Sequence, residues 1–500
     1  MKSYTLQKQI IKIKSQKKKI VLCHGVFDLI HPGHINYFQS AKKLGDYLFV
    51  SVTSDKYINK GIGRPIFNQE IRMNFLKQIK LIDQVILSDQ SSAEELIELV
   101  KPDFYVKGPD YKINKNDRTN KILLEKKKVE KFGGKIKYTN DISYSSSELI
   151  NKFGLDLNDE QLKFVKKIKK KFDFEKISLH IEKLFKLSPL VVGEIIIDEY
   201  FFGDVIGKAS KEPHLVMNVK KEKIYLGGSL AIARNISTFV KKVSIFSHFG
   251  YEKIIHSYIK KNINKNIQLN LFKPYKEFKT VYKKRFLDIV SNYKLFGSYF
   301  IPEKHLKIDL SLIKKNFKKI GSFDCIIICD YGHNLISKDF AYFLTKLKKK
   351  ISLNVQINSS SIRLNNLKKY KKINNLFINE NELRFIMKDS LSDINLLNRK
   401  FKKVYPCENL IVTRGIQGVI LLDKDNKSYR CPAFSTNLVD KVGAGDSLLS
   451  IVSLLLEAKV DKELSLLIGS LVAAIYVKSM GHEKPIKKDL ILNHLENILK

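Results

Sequence analysis

Between Lys19 and Tyr138 short β-branched runs alternate with amphipathic segments, and this alternation constrains the fold more than any other feature of the 500-residue chain. Ile20 to Cys23, Tyr47 to Thr53, Gln84 to Leu87, Phe104 to Val106 and Lys135 to Tyr138 read as strands. Ile35 to Leu44, Gln69 to Lys80, Ala93 to Val100 and Asn116 to Phe132 read as helices. Strands joined through helices imply right-handed crossovers and a parallel sheet covered on both faces. The pattern then lapses. Residues 151–187 hold a single Gly, Gly154, no Pro, and the run KKIKKKFDFEK, and are expected to form a Lys-rich linker, helical or partly ordered. A second α/β pattern opens with the strand Leu190 to Ile197, passes through short alternating segments between Tyr200 and Tyr225, and continues to the C-terminus. The expected organisation is an α/β domain over 1–150, a linker over 151–187, and a larger α/β domain over 188–500 with a small β appendage.

Charge is the feature most open to misreading. Ninety Lys and Arg against 51 Asp and Glu leave a formal charge of +39, which would ordinarily direct attention to nucleic acid. The excess is mostly Lys and is spread over the whole chain, so it reads as a composition bias and no nucleic-acid partner is expected. An apolar fraction of 44% excludes a disordered chain. Cys23, Cys325, Cys329, Cys407 and Cys431 are odd in number and scattered, so a reducing compartment is expected, with Cys325 and Cys329 as buried small side chains of one strand. The N-terminus lacks an apolar core with a cleavage site, and a cytoplasmic location is expected. The apolar stretches Ser447 to Ala458 and Leu464 to Val477 are shorter than the roughly 18 residues of a membrane span and read as buried helices.

The strand ending at Cys23 runs into His24-Gly25-Val26-Phe27-Asp28-Leu29-Ile30-His31-Pro32-Gly33-His34. Ligands bind beyond the carboxyl ends of parallel strands, and a helix N-terminus favours phosphate. Pro32 suits the first helical turn and Gly45 the C-terminal cap, so His31 and His34, three apart, project from one side of that turn. Two imidazoles there can stabilise the charge that develops on a nucleotide α-phosphate under attack, without a general base. A His pair that merely caps a helix is the plainer reading; the fixed spacing after a strand and a glycine favours the catalytic one.

With its His31-Pro32-Gly33-His34, the stretch 19–150 resembles the cytidylyltransferase-type nucleotidyltransferases. The resemblance implies a Rossmann-like domain with His31 and His34 catalytic. It places nucleotide or phosphate contacts at His24, Gly25, Phe27, Gly63-Arg64-Pro65, Arg72, Lys107, Asp110 with Tyr111, and Tyr144-Ser145-Ser146-Ser147. Within that family the V-K-G-x-D-Y and S-S-S-x-L-I segments are most similar to the adenylyltransferases acting on a heptose 1-phosphate. The implied reaction joins a sugar 1-phosphate to an NTP, ATP or CTP, releases pyrophosphate and uses Mg²⁺.

Late in the chain Asp440-Lys441-Val442-Gly443-Ala444-Gly445-Asp446-Ser447 opens an apolar helix. Small residues let backbone N–H groups approach an anion at a helix N-terminus, and a carboxylate in such a nest is costly unless it takes a proton from an attacking hydroxyl. Residues 188–500 resemble the ribokinase, or phosphofructokinase-B-like, sugar kinases, a doubly wound fold with a small β lid. The resemblance implies Asp446 as base, Gly443, Ala444 and Gly445 as anion hole after Asp440, and Asn379 with Glu382 as the N-x-x-E linked indirectly to Mg²⁺. It implies Thr413 and Gly415 beside the nucleotide, and Asp198, Gly227, Gly228 and Asn235 at the sugar. Pairing through the β lid, hence a homodimer, comes with it.

Tyr200, Gly203 and Lys211-Glu212-Pro213 are most similar to heptose 7-phosphate kinases. Three positions depart from those kinases: Ala231 replaces a sugar-binding Asn, His333 a Lys, and Asn358 an Asp. Together the two halves imply a bifunctional enzyme of nucleotide-sugar synthesis, with ATP, Mg²⁺ and phosphosugars as ligands. The domain order is the reverse of the bifunctional heptose enzymes. The alternatives are a kinase half for a different sugar and a catalytically weak sugar-sensing half.

Overall fold

A computed structural model describes residues 2–58, 65–90, 92–108, 121–139, 157–302, 308–357, 367–435, 440, 442–478, 480–481 and 485–499. The chain divides into two compact units, one built on Met1–Asp156 and the other on Leu157–Leu495. In the first, strands β1 (Ile20–Gly25), β2 (Tyr47–Thr53), β3 (Gln84–Ser88), β4 (Phe104–Lys107) and β5 (Lys135–Tyr138) form one parallel sheet in the order β3-β2-β1-β4-β5. The order reverses between β1 and β4, so the loop leaving β1 opens at the switch point of the sheet. Helices Pro32–Lys42, Gln69–Lys77, Glu94–Val100 and Lys121–Lys131 are the crossovers. A further helix, Lys2–Ser15, buries Ile10 and Ile13 against Ile20, Leu22 and Phe49, and the sequence pattern did not reveal it. Gly45 is not the helix cap. The helix closes at Lys43, and Gly45 lies where a Cβ would meet the Val21 side chain at 2.7 Å and Lys19 O at 3.0 Å.

The second unit contains a nine-stranded sheet in the order β10-β9-β6-β13-β14-β15-β16-β17-β18. Its strands are β6 (Leu190–Gly193), β9 (Val243–His248), β10 (Ile267–Phe272), β13 (Cys325–Asp330), β14 (Lys350–Val355), β15 (Ile373–Asn379), β16 (Cys407–Thr413), β17 (Val419–Leu422) and β18 (Ser428–Cys431). All run in one direction except β17, which is antiparallel to both β16 and β18, and the order reverses between β6 and β13. A separate four-stranded lid, β12-β11-β7-β8, comprises β7 (Ile195–Lys208), β8 (Leu215–Gly228), β11 (Val281–Asp288) and β12 (Lys294–Phe300). The stretch expected as one strand, Leu190 to Ile197, is therefore two. The chain leaves the large sheet at Glu194, whose carboxylate accepts N–H bonds from Tyr331 (3.0 Å) and His333 (3.1 Å), and enters the lid at Ile195.

The linker expectation is also corrected over 157–187, whereas 151–156 lie outside the described residues. Helix Asp159–Lys171 begins with a capping box of Asn158 and Gln161 and buries Phe164, Val165 and Ile168; helix Phe174–Lys183 is capped by Asp173 and buries Ile177 and Ile181. Gln161 Nε2 donates to Ala433 O, and Lys167 and Lys171 both pair with buried Glu463. The Lys run is the outer face of an amphipathic helix packed into the second unit. Cys325 and Cys329 are buried in β13.

Candidate active sites

In the first unit His31 is the N-cap of helix Pro32–Lys42, with extended backbone at φ −141°, and His34 stands one turn inside. Their ring centroids are 3.9 Å apart. Burial lowers the His31 imidazole below its ordinary pKa, favouring the neutral ring at the positive end of the helix. Phe27, at φ +49°, folds its ring against His34 (5.6 Å between centroids) and Phe38 (5.3 Å). A Cβ on Gly25 would touch that ring at 3.0 Å. His24 closes the end of β1, with Nδ1 3.1 Å from Ser51 Oγ and Nε2 3.4 Å from Thr53 Oγ1.

Two expected phosphate contacts, Arg72 and Lys107, are engaged by the protein itself. Arg72 is fully buried. Its guanidinium donates to Val26 O, Thr53 O (2.9 Å), Phe67 O (3.0 Å) and Asp55 Oδ1 (2.6 Å), fastening the loop after β1 to its neighbours. Asp28 does the same work, accepting from Ile66 N (2.9 Å) and Phe67 N (3.0 Å). Lys107 is buried, not solvated. Its ammonium lies 3.0 Å from Glu125 Oε2, which also accepts from Tyr105 OH at 3.0 Å, while Ala93 N donates to the other oxygen. Glu125 was illegible in sequence, one acid inside the run KILLEKKK. Gly63, Arg64, Asp110, Tyr111, Tyr144, Ser145, Ser146 and Ser147 lie outside the described residues.

The second site gathers at the reversal between β6 and β13. Gly443, at φ +83°, caps helix Ala444–Glu457, and nothing lies within 4 Å of where a Gly445 Cβ would stand. The first-turn N–H groups are thus approachable by an anion. Asp446 accepts a 2.9 Å bond from Tyr331 OH. Burial pushes its carboxyl up to about 6, opposed by that hydrogen bond and by Lys283, and reinforced by Asp198. Asp198 pairs with Arg285 across β7 and β11. Lys283, 6% exposed, faces the same group of charges; burial lowers its ammonium from the ordinary value against the pull of Asp198 and Asp446. Lys283 and Arg285 were missed in the sequence. Their signal was the alternation in VYKKRFLD, which puts both on one face of β11.

The diglycine is where backbones must approach. A Cβ on Gly227 would meet Asp198 Oδ2 at 2.2 Å, and one on Gly228, at φ +60°, would meet Glu194 O at 2.3 Å. Asn235, in the same helix as the Ala231 that replaces the expected Asn, is engaged by the chain's own backbone. It lies one helical turn further on and its Oδ1 faces Ile486 N at 3.5 Å. Asp440 is a structural anchor: it accepts from Tyr200 OH (3.0 Å), Lys294 Nζ (2.6 Å), Val442 N (3.0 Å) and Gly481 N (3.2 Å), tying lid strands to the loop before the anion nest.

Asn379 and Glu382 form a capping box on helix Glu380–Met387, and Glu382 also accepts from Ile357 N at 3.1 Å. Burial raises its carboxyl, with Asp446 adding to the effect. Thr413 ends β16 and Gly415 turns the chain at φ +57°. Asn358 lies outside the described residues. In the same loop region as His333, Lys369 Nζ pairs with Asp330 Oδ2 at 2.5 Å. Burial and neighbouring Asp330 push Glu194 up to about 7.

Comparison with known proteins follows this division. Residues 22–152 match the cytidylyltransferase-like family. Over that part the chain is 40% identical, across 139 residues, to the bifunctional protein HldE of Blochmanniella floridana, covering 27% of this chain and 28% of that protein. It is 35% identical across 156 residues to HldE of Helicobacter pylori strain G27, covering 31% and 32%. These matches span less than a third of the relatives' own length. Among solved structures, the ribokinase of Thermotoga maritima shares 18% identity at a TM-score of 0.50, over 62% of this chain and 99% of its own. Phosphofructokinase-2 of Escherichia coli shares 13% at 0.50, over 63% and 100%. Both likenesses concern the fold. The first unit is a cytidylyltransferase-like domain and the second has the ribokinase fold. Residues 188–489 match the pfkB family of carbohydrate kinases, and the chain belongs to that family.

Proposed function

We propose that the chain is a bifunctional enzyme of nucleotide-sugar synthesis. The second unit transfers the γ-phosphate of ATP to the anomeric hydroxyl of a sugar, a heptose 7-phosphate on the resemblance of Tyr200, Gly203 and Lys211-Glu212-Pro213 to heptose 7-phosphate kinases. The first transfers a nucleotidyl group from ATP or CTP to a sugar 1-phosphate with release of pyrophosphate. The observation that carries the kinase reading is Asp446: a carboxylate at the mouth of an anion nest, held near pH 6 and faced by a buried Lys283. A base with such a pKa is ionised at neutral pH yet basic enough to take the hydroxyl proton. Lys283 stands where it can stabilise charge on the transferring phosphoryl group. In the first unit the paired His31 and His34 rings donate to the α-phosphate at the helix N-terminus.

Mg²⁺ bound to nucleotide phosphates would offset their charge and is expected to keep several waters. Both oxygens of Glu382 already accept backbone N–H bonds, so this residue suits contact with a hydrated ion through water, not direct ligation. Among the described residues no helix is long and apolar enough to cross a membrane. We place the enzyme in the cytoplasm, where its substrates are made, and pair it through the lid, whose strand β12 exposes Leu295, Phe296, Tyr299 and Phe300.

The test separates the two activities. Asp446→Asn is expected to abolish ADP release from sugar while leaving pyrophosphate release from sugar 1-phosphate; His34→Ala is expected to do the reverse. Loss of both activities in either folded variant would refute the assignment of two independent sites.

A further inference from the structure

The chain passes from β6 to the lid through Glu194, which is fully buried. Its carboxylate spans two backbone donors, Oε2 accepting from Tyr331 N at 3.0 Å and Oε1 from His333 N at 3.1 Å. Its backbone oxygen accepts at 3.0 Å from the N–H of Ser229, the first residue of helix Ser229–Ser237. One residue therefore fastens the root of the lid, the diglycine turn and the loop after β13 to one another.

That loop has little latitude of its own. Gly332 and Asn334 both hold left-handed backbone at φ +74°. Asp330 is tied from the other side by Tyr370 OH (2.7 Å) and Lys369 Nζ (2.5 Å). Between these ties Tyr331 is buried, its OH donates to Asp446 Oδ2 at 2.9 Å, and Lys283 Nζ lies 5.9 Å from the centre of its ring. A hydrogen bond to an ionised acceptor weakens steeply with distance and angle, so a shift of the Tyr331 backbone is felt at the Asp446 carboxylate.

The charges around both carboxylates are defined. Glu194 is faced by Asp330, Tyr331 and Cys329 from β13 and its loop, by Lys369 and Tyr370 from the turn before β15, and by Lys283 from β11. Asp446 is faced by Tyr331, Lys283, Asp198, Cys329 and Glu382. Among the described residues, Tyr331 is the member of the second group that Glu194 holds by a hydrogen bond.

We propose that Glu194 is a positioning residue of the kinase site: it sets the Tyr331 backbone so that the phenol meets Asp446, and thereby ties the orientation of that carboxylate to the root of the lid. Its bearing on turnover rests on the reading of Asp446 as the base.

Carbon-13-labelled aspartate in the full chain, free of ligand, reads the titration midpoint of Asp446, whose resonance is identified by its loss in Asp446→Asn. An amide can accept at only one of its two ends, so in Glu194→Gln the midpoint is expected to rise by about one pH unit, as on weakening a hydrogen bond to a charged group, and the acid limb of kcat/KM to rise with it. Loss of the Glu194 charge alone would move both the other way. Glu194→Gln/Tyr331→Phe is expected to shift the midpoint no further than Tyr331→Phe, because both changes act through one bond. Glu194→Asp keeps the charge but is one methylene short of its two donors; it is expected to shift the midpoint in the same direction, and carries the comparison if the Gln variant does not fold. A midpoint unmoved or lowered in the folded variants, or additive shifts in the double variant, would overturn the proposal. A midpoint that rises while the acid limb stays in place would uphold the positioning role and overturn the reading of Asp446 as the base.

Discussion

At the scale of single residues, Asp446 carries the sharpest expectation. Its carboxyl titrates near 6, so the kinase rate is expected to fall about tenfold per pH unit below that value and to plateau above it. Tyr331 OH stabilises the carboxylate form, and Tyr331→Phe should move the acid limb of kcat/KM to higher pH. Lys283→Gln should move the limb the same way and also reduce kcat by about 10²–10³-fold, as removal of a charge-stabilising donor does. The raised carboxyl also bears on stability. Between its ordinary 3.8 and about 6 the folded protein holds the proton more tightly than the unfolded chain, so stability drops as pH rises through that window. Asp446→Asn lacks this loss and should melt about 2–4 °C higher at pH 8, an advantage that vanishes below pH 4; differential scanning calorimetry across pH reads it.

Candidate positions such as His31, His34 and Asp446 could be singled out in sequence because their neighbours in the chain create their surroundings: a strand end, a glycine and a helix start. The partners of Arg72 and Lys107 could not be read in sequence, because a cation's surroundings depend on which acid or carbonyl meets it. Asp55 and Glu125, which meet them, are 17 and 18 residues away in sequence with no pattern to announce them.

At the scale of elements, the turn from β8 into helix Ser229–Ser237 holds the sugar end of the kinase site together. Gly227 pairs with Ile196 and Gly228 with Ile195, bringing β8 against Asp198 and Glu194. Gly228→Ala would combine left-handed backbone with a backbone clash. It is expected to lower stability by about 2–4 kcal/mol in urea unfolding and to raise KM for sugar more than it lowers kcat. Tolerance of alanine there would show that the approach of the two strands is unimportant. Alternation alone could not locate the break at Glu194, since LVVGEIII is uniformly strand-like. The break exists because Glu194 turns to the N–H groups of Tyr331 and His333, more than 130 residues on.

At the scale of the whole molecule, the +39 charge marks no site. Much of the Lys excess is solvated helix face, and the candidate site residues lie at strand ends and helix starts. The segment expected as a linker makes the strongest whole-chain prediction. A fragment beginning at Leu157 is expected to fold and keep kinase activity. One beginning at Ser188 should melt lower and aggregate more readily, because it strips two amphipathic helices and leaves Glu463 buried without Lys167 and Lys171. Equal melting temperatures for the two fragments would return 157–187 to the status of a linker.

The sequence by itself determined two α/β units, right-handed crossovers and a parallel sheet in the first, and the loops that carry the candidates His31, His34 and Asp446, since periodicity and turn chemistry are local. Tertiary structure alone decided where the chain leaves one sheet for the other, which cations are structural, and that Lys283 and Arg285 face Asp446 and Asp198. Those outcomes depend on partners distant in sequence, and burial sets their charge states only once the partners have met.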